Sequence, residues 1–259
     1  TLGLALDVGT TTIGAALFAL ELPPPSLEDQ ISDIGRITRA LHMDEYPVVA
    51  LPLLQELPER LRMCDFKITV VVEDGELLGI EPYWETPRTL GLALDVGTTT
   101  IGAALFDLLS GVPLATGSRT NPQAVRGDDV VTRIDHARKG LDERKELQQL
   151  VVKAGEDLLA ETCATAGVRA DQVYLITVGG NTTMHHLFLG LDPSSIAESP
   201  FISTIRRGMT VRAADVDFRA GHGARIYALP NISAYVGGDI VAGLLAHEVH
   251  TSDTTTLLV

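Results

Sequence analysis

Cysteine is almost missing from this chain: Cys64 and Cys163 stand far apart and in no C-x-x-C pair. That excludes a disulfide framework and a self-contained zinc or iron–sulfur site, and it fits a reducing, cytoplasmic setting. Basic side chains are scarce too, 20 against 34 acidic ones, for a formal net charge of −14. Lys and Arg form no cluster, so a polyanion-binding surface is excluded and nucleic acid is not an expected partner. No apolar run approaches the length of a membrane span, and Asp7 interrupts the apolar start with no basic residue before it. The chain therefore reads as soluble, with no membrane partner.

Several familiar motifs are absent or only apparent. No G-x-x-x-x-G-K-[ST] string occurs, and Gly221-His222-Gly223 lacks the third glycine of a dinucleotide fingerprint. In His247-Glu248-Val249-His250 the second His falls one residue short of helical zincin spacing, and Thr251 holds the required place, so metal ligation is not expected there. His185 and His186 are adjacent, and neighbouring helical side chains diverge by about 100°. Capping or partner contact is the expectation for them.

What is present begins with a repeat: residues 1–18 copy residues 89–106 letter for letter, and the copies part at Ala19 and Asp107. Diverged tandem domains drift in sequence but keep their length, so an identical, short copy reads as artefactual. Two identical strand pairs compete for one place in one sheet, and the copy that runs on into Ser110-Gly111 should win, leaving residues 1–18 loosely held or paired at an edge. At 259 residues and 45% hydrophobic the chain has room for two domains. Residues 19–88 read as a small α+β module and linker, and 89–259 as the main domain.

In the module, Ser26 with Asp29 forms an N-cap signature before a helical face of Ile31, Ile34, Ile37 and Leu41. A helix over 52–62 follows, then a hairpin of 67–72 and 76–80 about Asp74-Gly75. In the main domain, Leu90, Leu92 and Leu94 alternate up to Asp95, and Ile101, Ala103 and Leu105 alternate after Thr100, so the stretch is strand, tight turn, strand. Gly97 supplies backbone freedom, and the N–H groups and hydroxyls of Thr98, Thr99 and Thr100 can converge on an anion. Asp95 faces a phosphate only through a cation, which predicts Mg²⁺ held through water. The alternative is a plain polar hairpin turn.

A third strand over 114–118 completes a meander, and Asp128 is expected to cap a helix whose core face is Val130, Val131, Ile134 and Ala137. A longer helix starts near Asp142. The buried strand 173–178 runs into Gly179-Gly180-Asn181-Thr182-Thr183, a second polar turn at a strand end, where open α/β sheets bind ligands; a simple Asn-capped helix start is the alternative. Strands follow at 209–216, 224–229 and 255–259, with a helix opened by Gly237-Gly238-Asp239 before the last.

Five stretches in this order, LELPPPSLEDQISD (20–33), GLALDVGTTT (91–100), TNPQ with GDDVVTRI (120–123, 127–134), GNTTMHHLFLG (180–190) and ISAYVGGDIVAGLLA (232–246), resemble the C-terminal region of the reductive activators of corrinoid proteins. These are ATP-using relatives of actin, heat-shock chaperones and sugar kinases. The resemblance implies an α/β fold: the ribonuclease H-like first lobe of an actin-like ATPase, a three-stranded meander plus parallel strands with helices, preceded by the α+β module. It implies ATP with Mg²⁺, with Asp95 at the metal and Gly97, Thr98, Thr99 and Thr100 as the first phosphate loop. Gly237 and Gly238 would open the helix connecting two lobes. Asp239 either orients water or the metal, or is an acid favoured by the helix dipole.

The partner implied is a corrinoid protein, or a corrinoid iron–sulfur protein, returned from Co(II) to Co(I); an activator of another low-potential enzyme such as a dehydratase, or a non-catalytic docking or dimerisation module, are the competing readings, and the last leaves room for a homodimer. Two departures stand out. Two cysteines cannot supply the family's iron–sulfur domain, so a 2Fe–2S cluster is expected only outside this chain. The second phosphate loop and the adenosine half are also expected outside it, so this piece alone is not expected to turn over nucleotide, since one loop cannot enclose a triphosphate.

Overall fold

The structure, a computed structural model, describes residues 2–8, 11–83 and 89–249. These fall into two compact units. The first takes the described residues up to Thr89 with Asp107–Gly111 and Gly221–Ala224; the second takes Leu90–Phe106, Val112–Ala220 and the described residues from Arg225 onward.

The first unit contains strands β1 (Leu2–Val8) and β2 (Thr11–Glu21), helix α1 (Asp33–Ala40), strand β3 (Val48–Val49), helix α2 (Leu51–Met63), and strands β4 (Lys67–Glu73) and β5 (Glu76–Pro82). Its sheet runs β1-β2-β4-β5-β3, which puts β1 at an edge. β2 pairs antiparallel with β4 from Ala16↔Val72 to Glu21↔Lys67, continuing through the point at which the two sequence copies part. Ile37, Leu53, Leu57 and Leu61 of the helices bury against Ile68, Val70, Leu77 and Ile80 of the sheet. The turn between β4 and β5 has φ 45° at Asp74 and 78° at Gly75, both positive, as a two-residue hairpin that matches strand twist requires.

The expected cap of α1 is corrected: Ser32, not Ser26, accepts from the Gly35 N–H at 3.2 Å. Ser26 instead closes a turn by accepting from the Asp29 N–H at 3.1 Å, and Asp29 pairs with the buried Arg36 at 2.8 Å. Arg36 also donates to Pro23 O at 2.9 Å and Asp29 O at 2.7 Å, fastening the proline-rich lead-in to the helix.

The second unit contains β6 (Leu90–Val96), β7 (Thr100–Asp107), β8 (Val112–Thr120), α3 (Val130–Ala137), α4 (Leu141–Ala166), β9 (Val173–Gly180), α5 (Thr182–Phe188), β10 (Met209–Arg212), β11 (Arg225–Ala228) and α6 (Gly238–Ala246). The sheet order is β10-β11-β9-β6-β7-β8. β9 is parallel to both β6 and β11, and β10 is antiparallel to β11. A meander of β6, β7 and β8 extended by parallel β9 and β11 is the ribonuclease H-like order expected of an actin-like first lobe. Helices α3 and α4 make the crossover that returns the chain from β8 to β9, beside and parallel to β6, and Leu147, Val151, Ala154 and Leu158 of α4 are buried.

Several local expectations change. Asp129, not Asp128, caps α3: its carboxylate accepts from the Thr132 N–H at 2.8 Å, and Thr132 Oγ1 accepts from the Asp129 N–H at 3.3 Å. The buried face of α3 is Arg133, Ile134 and Ala137, while Val131 is exposed. The strand expected over 209–216 stops at Arg212, where a 3₁₀ turn (Ala213–Val216) takes over. His185 and His186 are fully buried, not partner-facing; His186 Nε2 accepts from the Thr204 N–H at 3.0 Å, so its Nδ1 donates to Thr182 O at 2.7 Å. His247 ends α6 and Glu248 takes a φ of 51°, so that pair does not continue on a helix. The strand expected over 255–259 lies outside the described residues.

Candidate functional site

β6 and β9 run side by side with Asp95 opposite Gly179 and Val96 opposite Gly180, so both polar turns open at one edge of the sheet. Ligands bind at such carboxyl ends in open α/β sheets. The turn after β6 is closed by the Gly97 N–H donating to Thr100 O at 3.0 Å. A Cβ on Gly97 would lie 2.6 Å from that oxygen. The glycine is thus required for close approach rather than for a left-handed φ, which it does not adopt.

Three successive carbonyls of this turn are tied back into the protein. Gly97 O accepts from Asn121 Nδ2 at 2.8 Å, Thr98 O from Arg133 Nη2 at 2.7 Å, and Thr99 O from the Asn121 N–H at 2.8 Å. In a trans peptide the C=O and the next N–H point in opposite directions. Fixing these oxygens inward therefore aims the N–H groups of Thr98, Thr99 and Thr100 outward. Thr98 is half-buried and Thr99 and Thr100 are exposed, so the outward N–H groups can meet an anion from solvent.

The second turn supports the first. Asn181 caps α5, its Oδ1 accepting from the Met184 N–H at 3.0 Å, and its Nδ2 donates to Thr98 Oγ1 at 3.1 Å. The start of α6 packs on the same place: a Cβ on Gly237 would lie 2.5 Å from Asn181 Cα and 2.6 Å from Gly180 O. A Cβ on Gly238 would lie 2.5 Å from His185 Cε1. Only glycine permits that approach, and it carries Asp239 to the edge occupied by Asp95.

Asp95 is exposed although its strand is interior. The protein around it still pushes its carboxyl above the usual carboxylate range, by desolvation first and the Asp239 charge second. Asp239 is exposed and accepts from the Ile240 N–H at 2.7 Å. A carboxylate made harder to ionise by a neighbouring carboxylate favours a cation beside it. Among the described residues no three His, Cys, Asp or Glu side chains converge on a metal. These two acids fit an ion that keeps most of its ligands as water, as Mg²⁺ does. Cys64 lies in α2's C-terminal cap and Cys163 is buried in α4; two thiols do not fit a 2Fe–2S cluster, which takes four.

The eight residues expected at the site, Asp95, Gly97, Thr98, Thr99, Thr100, Gly237, Gly238 and Asp239, thus flank one sheet edge. An open groove of about 820 Å³ lies elsewhere, between Arg119, Lys145, Lys153, Asp157 and Arg219 along α4, and none of the eight lines it. Its charges are largely matched to one another, Asp157 meeting both Arg119 and Lys153, each within 2.8 Å. From sequence, Asn121, Gln123 and Arg133 have no place in the site, and Asn181 has one only as part of the second polar turn. Their signal was present in TNPQ, GDDVVTRI and GNTT, where polar residues interrupt apolar spacing, but only the tertiary contacts direct them at the loop.

The family model described as the RACo middle region matches residues 90–252, and that of the RACo linker region matches residues 14–87. The corrinoid activation enzyme RamQ of Eubacterium limosum is 27% identical over 180 residues, which span 69% of this chain and 30% of that protein. A solved reductive activator for a corrinoid, iron–sulfur protein superposes with a TM-score of 0.73 at 34% identity, over 92% of this chain and 39% of that one. The chain therefore spans between about three and four tenths of the length of these relatives.

Proposed function

We propose a function from one premise, that this chain belongs to the RACo family of reductive activators, whose middle region it matches over most of its length: it is the linker and first lobe of an ATP-dependent activator that returns corrinoid proteins from Co(II) to Co(I). The observation that carries the nucleotide part is the inward tethering of three carbonyls by Asn121 and Arg133, which leaves the Gly97–Thr100 turn with a donor face. Such a face binds a phosphoryl group by its N–H groups and by the hydroxyls of Thr98, Thr99 and Thr100.

Asp95 and Asp239 would hold Mg²⁺ through water, and the ion would neutralise phosphate charge. Asn181 orients the Thr98 hydroxyl, and the glycines at 237 and 238 keep Asp239 close to the loop. Asp239 is then placed to orient the attacking water. The names of both relatives refer to corrinoid systems, which supports a corrinoid protein over a dehydratase as the partner.

The test uses the complete parent protein with a Co(II) corrinoid protein, an electron donor and MgATP, following formation of Co(I) by absorbance. Asp95→Ala is expected to lower ATP turnover and Co(I) formation together by about a hundredfold, the scale of losing a site that organises transition-state charge. Reactivation that proceeds equally well without nucleotide would overturn the reading; so would an ATPase rate unchanged by Asp95→Ala.

A further inference from the structure

Arg133 has no solvent exposure at all, yet none of its partners is charged. Nε donates to Gly127 O at 2.9 Å, Nη1 to Gln123 Oε1 at 3.2 Å and to Met184 Sδ at 3.4 Å, and Nη2 to Thr98 O at 2.7 Å. Among the described residues no carboxylate lies within ion-pair distance of it. Asp128 and Asp129 act on it only through space, and the Asp129 carboxylate is already engaged by the Thr132 N–H. Burying a guanidinium against neutral acceptors is costly, and folds retain such a charge only where something opposes the cost.

We propose that Arg133 is the positioning residue of the phosphate loop, turning the Thr98 peptide so that the Thr99 N–H faces outward and supplying, from behind the loop, a fixed positive charge whose counter-ion is the bound phosphate chain. This rests on the reading of Gly97–Thr100 as the nucleotide site and adds its electrostatic complement. Gln123 completes the arrangement: its Oε1 accepts from Arg133 while its Nε2 donates to Leu147 O at 2.8 Å, anchoring the guanidinium to the long helix α4. Arg133 touches no ligand itself; it acts through the peptide it holds and through its field at short range in a dry interior.

The proposal is tested in the complete parent protein by measuring affinity for MgATP and for adenosine, with thermal midpoints recorded for each variant. Arg133→Met is expected to weaken MgATP binding by about tenfold or more, the scale of one charge-assisted interaction, while adenosine binding stays within about twofold. Arg133→Lys keeps the charge but not the fork and is expected to fall between the two, again only for ATP. MgATP binding within twofold of wild type in a folded variant overturns the proposal, as does an equal loss of ATP and adenosine, the signature of general distortion. Where Arg133→Met does not fold, Arg133→Lys decides by the same two ligands. Failure of the wild-type parent to bind MgATP is a separate outcome, and it removes the site reading itself.

Discussion

Asn181 Nδ2 donates to the Thr98 hydroxyl at 3.1 Å while Asn181 Oδ1 accepts from the Met184 N–H at 3.0 Å. One amide therefore fixes a helix start and a hydroxyl of the Gly97–Thr100 turn across 83 positions of sequence. Asn181→Ala removes both interactions. Loss of the cap should cost about 1 kcal/mol of stability, read by denaturant unfolding, and in the complete protein it should also weaken MgATP binding. Asn181→Ser, which caps but cannot reach the loop in the same way, should restore stability without restoring affinity.

His185 is buried, and burial pulls its pKa from 6.5 down to about 4, against the opposing influence first of the Asp239 charge and then of the Val178 backbone and the Asn231 side chain. The unfolded chain then binds a proton the folded chain refuses, so stability is lost as pH falls from about 6.5 towards 4. The loss at the low end is on the order of 3 kcal/mol. His186 shifts in the same direction, also by burial. His185→Gln should flatten the unfolding midpoint across that window; an unchanged slope would contradict the buried neutral state.

Arg36 gathers Pro23 O, Asp29 O and the Asp29 carboxylate around α1. Arg36→Met leaves three acceptors without their donor and should lower the thermal midpoint of the chain by several degrees. Limited proteolysis should then cut first between residues 22 and 33, where the lead-in is no longer fastened.

Removal of residues 1–13 takes away β1 and the start of β2, Thr11–Ile13, and leaves the pairing of Ala16–Glu21 with β4 intact. The melting temperature of the rest should change by about 2 °C or less, since an edge strand contributes little beyond its own pairing. Removal through Glu21 instead bares the β4 edge, and light scattering should reveal aggregation.

Much of the architecture was legible because it rests on local periodicity. The alternation of Leu90, Leu92 and Leu94 fixes β6, the spacing of Leu147, Val151, Ala154 and Leu158 fixes the buried face of α4, and Asp74-Gly75 fixes the turn of the β4–β5 hairpin. Cap residues were less legible. Ser26 and Ser32, or Asp128 and Asp129, offer the same chemistry to the backbone, and the choice between them falls to partners such as Arg36 and Thr132 that lie a turn or more away.

The sequence by itself determined individual elements such as β6 and the buried face of α4, the polar turns after β6 and β9, and the small residues at 237 and 238, because each follows from side-chain pattern and backbone sterics within one short stretch; the ribonuclease H-like order was implied only by the family resemblance. Only the tertiary structure decided that these turns share one edge, that three loop carbonyls face inward, and that a buried guanidinium on α3 holds the central one. Hydrogen bonds between residues tens of positions apart have no period to betray them; they exist only once the sheet has set its register and brought their elements together.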